Sequence, residues 1–367
     1  MHITLDYLLT AFLIVSLLTL SISTIYLISY NPLYYGGGPE IREIAERVTD
    51  KILFTEGAPP DWGSNYNISS ENLTDFGLHM RNNSIYVLDS DKVSRLSPET
   101  NESLRIDPIA VAELLGFTED GILNYGFSIR IYPFLNISVE EQSQYYYVIT
   151  VKRYDGFPAA GARVKAIYIA VLIEESKVKN ITWHAIMLET NINGVCYLNL
   201  SEYISGLEEG NYQIILVIYA DYLEYRSAMI SAISTNETGL APGLQLQATR
   251  GHFTPLIAGE WDKGYFISIS YDYISAVRIG KKKGQPGLEL HEAELDPNAQ
   301  FVVVVLTKGG SGFVVISGAR PLCTPESPII FGTSNPRGLE VAAVTRYVTI
   351  NDLSFIFEFY LWPMSSS

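Results

Sequence analysis

The stretch from Leu8 to Tyr30 is almost wholly apolar, and no side chain charged at neutral pH occurs from Tyr7 to Pro39. At about 1.5 Å per residue such a helix is roughly 34 Å long, enough to cross the hydrocarbon core of a bilayer. Tyr26, Tyr30, Tyr34 and Tyr35 follow where amphipathic rings settle at the headgroups. No Lys or Arg precedes the run, which exceeds a signal h-region, and no A-x-A site follows it, so the pattern predicts an uncleaved anchor.

Beyond Gly36-Gly37-Gly38-Pro39 the period changes. Ile41, Ile44, Ala45, Val48 and Ile52 recur at helical spacing, with Glu40, Arg42, Glu43, Glu46 and Arg47 mostly on the other face. A helix with Pro39 in its first turn is predicted, ending at the turn Gly57–Gly63. Asp107 and Pro108 predict the cap and first turn of a second helix reaching Leu115, with Gly116 closing it.

From Tyr125 the pattern is that of strands: Tyr125 to Phe134, Tyr145 to Lys152, Arg163 to Ile173, Trp183 to Thr190, Val195 to Leu200 and Asn211 to Asp221. Further strands are predicted over Tyr265 to Tyr273, Phe301 to Thr307, Phe313 to Ser317, Leu339 to Ile350 and Leu353 to Trp362, with Gly309, Gly310 and Gly312 at a hairpin tip. The run Phe301 to Leu306 is apolar on both faces and suits a central strand. The fold class is thus an N-terminal transmembrane α-helix with a mainly-β ectodomain. Its divisions are an anchor (1–37), a membrane-proximal α+β part (38–144), a central run of strands (145–238) and a further β domain (239–367).

Side follows from sequons rather than charge, because Arg42 and Arg47 lie after the helix and nothing basic before it. Asn67, Asn72, Asn82, Asn101, Asn136, Asn180, Asn199 and Asn236 each begin an N-x-[ST] triplet, whereas composition predicts about 2.6 by chance. The excess argues for exposure to a glycosylation machinery and hence for an extracellular ectodomain on a single-pass membrane protein. The last 131 residues carry none.

Composition narrows the partners. A net charge of -15, from 25 basic and 40 acidic residues, disfavours nucleic acid. The one basic run, Lys281-Lys282-Lys283, lies between glycines and reads as a solvated turn. Cys196 and Cys323 have no metal-ligand spacing, and the expectation is that they are not bridged, because Cys196 begins a strand of the central part and Cys323 lies in the loop Pro321 to Pro325 of the last.

His2, His79, His184, His252 and His291 form no H-x-x-x-H, and the loop His291-Glu292-Ala293-Glu294 reads as solvated. Gly309-Gly310-Ser311-Gly312-Phe313 fails the nucleophile-elbow pattern, and no phosphate-binding loop occurs. No catalytic residue, cofactor or metal ligand is assigned, and the chain is read as a non-enzyme. A glycosidase carboxylate pair would show as a cleft with two carboxylates, one of raised pKa.

Two resemblances add to this. Asp155, Gly156, Pro158, Gly161, Ala162 and Val164, then Thr190, Asn191 and Gly194, then Gly210 and Tyr212, resemble the turn chemistry of immunoglobulin-like modules in prokaryotic surface proteins. The apolar helix, Thr55-Glu56-Gly57 with Pro59, Asp61, Trp62 and Gly63, Phe76-Gly77-Leu78, Leu88-Asp89 with Lys92-Val93, Val344-Thr345-Arg346 with Val348 and Ile350, and Tyr360-Leu361-Trp362 resemble archaeal pilin-related secreted proteins. That resemblance implies a membrane-anchoring helix that packs in a filament core in true pilins. Asp6 is then the candidate filament-core charge. No basic leader precedes Leu5, which leaves two readings, a misassigned start codon or a pilin-like anchored protein that is not processed, and the second is the expectation. The expected function is a structural or adhesive cell-envelope protein, self-assembling or bound to other envelope proteins. The alternatives are an accessory subunit of a secretion or filament-assembly complex and an anchored extracellular hydrolase.

Overall fold

The structure, a computed structural model, describes residues 39–65, 67–98, 100, 102, 104–174, 177–205, 211–234, 246–249, 252–255, 263–279, 299–308, 312–319, 328–333 and 340–364. Among them no helix is long and apolar enough to cross a membrane. The apolar run Leu8–Tyr30 lies outside them.

Helix α1 (Pro39–Phe54) forms where the apolar stripe predicts it. Ala45, Ile52 and Leu53 are buried, Arg42 bonds Glu46 at 3.2 Å on the outer face, and the fully buried Thr49 hydroxyl donates a hydrogen bond to the Ala45 carbonyl. An irregular segment follows, broken by a 3-10 turn (Ser70–Asn72), α2 (Ser90–Ser94) and α3 (Pro108–Leu114). Asp107 caps α3 by accepting from the Ile109 amide, as its sequence predicts.

The rest is antiparallel β-structure. A two-residue ladder, β1 (Thr118–Glu119) and β2 (Ile122–Leu123), leads into β3 (Tyr125–Pro133), β4 (Leu135–Ser143), β5 (Tyr146–Arg153), β6 (Arg163–Glu174), β7 (Lys177–Glu189) and β8 (Val195–Asn199). After α4 (Ser201–Ser205) come β9 (Asn211–Tyr222), β10 (Tyr225–Ser234), β11 (Leu246–Thr249), β12 (His252–Pro255), β13 (Lys263–Ile269) and β14 (Ile274–Ile279). The chain ends with β15 (Phe301–Lys308), β16 (Gly312–Ala319), β17 (Ile329–Gly332), β18 (Ala342–Ile350) and β19 (Leu353–Pro363). The mainly-β reading therefore holds, with corrections. Strand β10 carries too weak an apolar alternation to be read from sequence, β4 shows alternation only over Leu135, Ile137 and Val139, and β7 begins six residues before Trp183.

The sheet β10-β9-β6-β7 is a middle layer. On one face Ala166, Tyr168 and Ala170 of β6, with Ile214, Leu216 and Ile218 of β9, share a core with Ile137, Ile149, Val151, Cys196 and Leu198 of the sheet β4-β5-β8. On the other, Ile167, Ile169, Val171, Ile215 and Val217 share a core with Ile267, Ile269, Val303 and Val305 of the sheet β14-β13-β15-β16. Strands buried on both faces need near-continuous apolar sequence, and β6 and β9 supply it. The reading of Phe301 to Leu306 as a central strand fits β15, which lies between β13 and β16.

The fourth large sheet, β17-β3-β19-β18, joins strands from opposite ends of the sequence. Arg130 of β3 lies between Ile330 of β17 and Glu358 of β19, so the sheet crosses the boundaries drawn at 144 and 238. Helix α1 packs on β18 and β19. Rings run from the loop segment into this sheet: Trp62 and Phe76 (5.9 Å between centroids), Phe331 (6.3 Å), Phe127 (6.0 Å) and Phe359 (6.2 Å). Trp62, Phe76, Leu78, Leu88, Val93, Val344, Val348, Ile350 and Leu361 belong to the same core.

Candidate functional site

Six of the eight sequon asparagines fall among the described residues, and all six are exposed: Asn67, Asn72, Asn82, Asn136, Asn180 and Asn199. Strand alternation accounts for two of them. In β4, Leu135 and Ile137 point inward and Asn136 outward, and in β8 Cys196 and Leu198 are buried while Asn199 is exposed. Asn72 accepts from the Ser69 hydroxyl at 3.0 Å, Asn180 from the Ile181 amide at 2.9 Å and Asn199 from the Ser201 amide at 2.9 Å. Each uses its Oδ1, which leaves the Nδ2 that a glycan would occupy turned away from these bonds. Asn101, Asn236, Asp6, Cys323, Lys281–Lys283 and the loop His291–Glu294 lie outside the described residues. Cys196 is a buried free thiol, its pKa pushed up to about 11 by burial.

The conspicuous short motifs of residues 55–93 form a packed knot. Lys92 is fully buried, and its ammonium donates to the Glu56 carbonyl at 2.8 Å and the His79 carbonyl at 3.0 Å. Burial lowers its pKa, against the pull of Asp89, Glu56, Asp61 and Asp91. Asp89 caps α2 by accepting from the Asp91 and Lys92 amides, and burial, helped by Asp91, raises its pKa. The raised carboxylate is therefore a helix cap. Three residues on, Arg95 donates to the carbonyls of Leu104 (2.6 Å), Ile68 (2.6 Å) and Trp62, with the Trp62 ring beneath it. Burial brings its pKa down to about 10. Two cations thereby collect five carbonyls from loops that have no ladder of their own. The glycines are there for space: a Cβ on Gly63 would lie 2.6 Å from Lys92, and one on Gly77 2.2 Å from the Thr55 carbonyl oxygen.

A surface cleft of about 420 Å³ lies where the outer face of β17-β3-β19 meets the end of the β4–β5 hairpin. Arg130, Tyr132, Ile330 and Glu358 line one side, and Asn136, Lys152, Arg153 and Tyr154 the other. Both oxygens of Glu358 are engaged: Tyr132 donates to one at 2.7 Å and Tyr360 to the other at 2.8 Å. Burial, reinforced by the Glu358 bond, pushes the Tyr132 pKa upward. Arg130 lies 4.9 Å from the Tyr360 ring centroid, and its buried Nε has no hydrogen-bond partner among the described residues. Arg153 is paired with Asp155. On an acidic chain this places two cations without a carboxylate partner among the described residues, Arg130 and Lys152, beside exposed aromatic and aliphatic surface. Such a cleft can hold an anionic group, with the guanidinium as its anchor. Sequence reading missed these residues. Their signal is a lone charge inside strongly apolar strands, Arg130 in Ile129-Arg130-Ile131 and Glu358 in Phe357-Glu358-Phe359.

A second cleft of about 420 Å³ is bordered by Arg163, Asp221, Tyr225, Arg226 and Asp352. Its groups are engaged structurally. Arg226 is bidentate to Asp221 at 2.6 and 3.3 Å and stacks 3.5 Å from the Tyr271 ring centroid, while Tyr271 donates to Asp221 at 3.1 Å. This cluster ties the middle sheet to the β13–β14 turn. No protein-family model matches the chain, and a search of curated proteins returns no match.

Proposed function

We propose that this protein is a membrane-anchored extracellular structural or adhesive component of a cell envelope, pilin-like in its anchor, with an immunoglobulin-like sandwich at its centre. The observation that carries the proposal is the exposure of every described sequon asparagine, including three within strands, two of which (Asn136 and Asn199) alternate with buried neighbours, so that a single shift of register would bury the side chain. Such placement suits a surface built to carry glycan. The sandwich supports it: the first, second and fifth strands (β4, β5, β8) form one sheet, and the third, sixth and seventh (β6, β9, β10) the other, joined by the fourth (β7). The knot of residues 55–107 fits the same role, since its buried cations serve cohesion. Adhesive contact belongs to the Arg130–Lys152 cleft, whose ligand class is an anionic group of a surface polymer.

Protease added to whole cells, followed by membrane fractionation, tests the topology. An N-terminal fragment retained in the membrane, with everything beyond Pro39 accessible to cleavage, is expected. Full protection in intact cells but not in lysed ones would refute the proposal.

A further inference from the structure

We propose that Tyr146 and Tyr197 form a sugar-binding platform that seats the first sugar of a glycan on Asn199, a platform the chain builds for its own modification. It rests on the glycan reading above. Along β5 and β8 alternate residues leave the core: Tyr147, Ile149, Cys196 and Leu198 are buried in it, and Tyr146, Tyr197 and Asn199 share the outer face. The register sets Asn199 directly opposite Tyr146, while Tyr197 stands two residues before it on the same strand. The two rings stack with centroids 6.1 Å apart and planes 18° from parallel, and Tyr197 is 53% exposed.

Open ring surface favours a flat apolar cover. The register supplies one. Residues directly opposite have Cβ atoms about 4.5–5.5 Å apart, and same-face neighbours along a strand lie about 7 Å apart, so a pyranose bonded to the Asn199 Nδ2 begins within a sugar's length of both rings. The C–H face of a pyranose is apolar and lies flat on an aromatic ring, while its hydroxyl edge keeps its water. Asn199 is held for this contact. Its Oδ1 accepts from the Ser201 amide at 2.9 Å, across its own Asn199-Leu200-Ser201 triplet, which restrains the amide that carries the sugar. The other sequon of the same sheet has no such arrangement, since Asn136 faces Lys152 and Ser138 stands two residues on.

The test uses the full-length chain purified in detergent from its native membrane. Peptide mapping reads the occupancy of Asn199, and hydroxyl-radical footprinting reads ring access residue by residue. Tyr197 is expected to react several-fold faster in Asn199→Gln than in the parent chain, and no faster in Asn67→Gln, which removes a sequon elsewhere. Tyr197→Phe keeps the protection of the ring, because the ring face and not the hydroxyl is the seat. Tyr197→Ser lowers the melting temperature by about 2 °C more in the parent chain than in Asn199→Gln. An unmodified Asn199 removes the glycan reading at this position and the platform with it. A modified Asn199 with Tyr197 equally reactive in both chains leaves the glycan reading standing and overturns the platform alone. An equal gain of reactivity in Asn67→Gln, which signals general loosening, overturns it as well.

Discussion

Arg95 shows how a surface-type residue becomes structural when burial is complete. Arg95→Met keeps much of the volume but strips the carbonyls of Trp62, Ile68 and Leu104 of their donor, and carbonyls cannot be mutated away in compensation. At about 1–3 kcal/mol for each buried group left unpaired, the expected loss is about 3–5 kcal/mol. Lys92→Met strands two carbonyls and should cost about 2–3 kcal/mol. Denaturant midpoints at constant m-value measure both, and a loss below about 1 kcal/mol for Arg95→Met would contradict the staple.

The tyrosines govern the alkaline limb. Burial holds the Tyr147 hydroxyl up at about 12, and a bond to Tyr347, with burial, holds Tyr154 at about 12. The folded chain keeps protons that the unfolded chain releases from about pH 10, so this stability is intact below 10 and lost as pH rises through 12. Arg95 works the other way: its folded value of about 10 lies below its unfolded one, so its burial penalty eases as pH rises above 10. The tyrosines, joined by Tyr132, outnumber it. Unfolding free energy should therefore fall between pH 10 and 12, with tyrosinate absorbance rising late and together with unfolding, and a flat profile would contradict this.

Among elements, β3 and β19 bear most on the joining of the chain's two ends. Gly126 sits opposite Trp362, and a Cβ there would lie 2.4 Å from the fully buried indole. Gly126→Ala should destabilise by about 1–3 kcal/mol through displacement of that ring. Calorimetry measures it, and an unchanged melting temperature would show that the indole moves freely. Individual strands were legible because their apolar residues alternate or run continuously. Partners were not: nothing local in Tyr125–Pro133 says that it pairs with residues more than 200 positions away. Strand β10 escaped notice because small Ser and Ala residues fill Tyr225–Ser234, and β4 because Glu140 and Glu141 end its alternation early. The two-faced apolar runs of β6 and β9 did carry the signal of a covered middle layer, but which sheet supplies the second cover depends on long-range pairing.

At the scale of the molecule, the cleft of Arg130, Lys152 and Glu358 was invisible in sequence because it is assembled from β3, β5 and β19, whereas the sequons were legible one by one. Their shared exposure is what the fold adds. The central claim is that this surface faces the outside of the cell and carries glycan. Glycopeptide mapping of protein purified from its native membrane tests it most directly. Hexose-scale additions at several of Asn67, Asn72, Asn82, Asn136, Asn180 and Asn199 are predicted. Unmodified peptides covering all six would contradict the account.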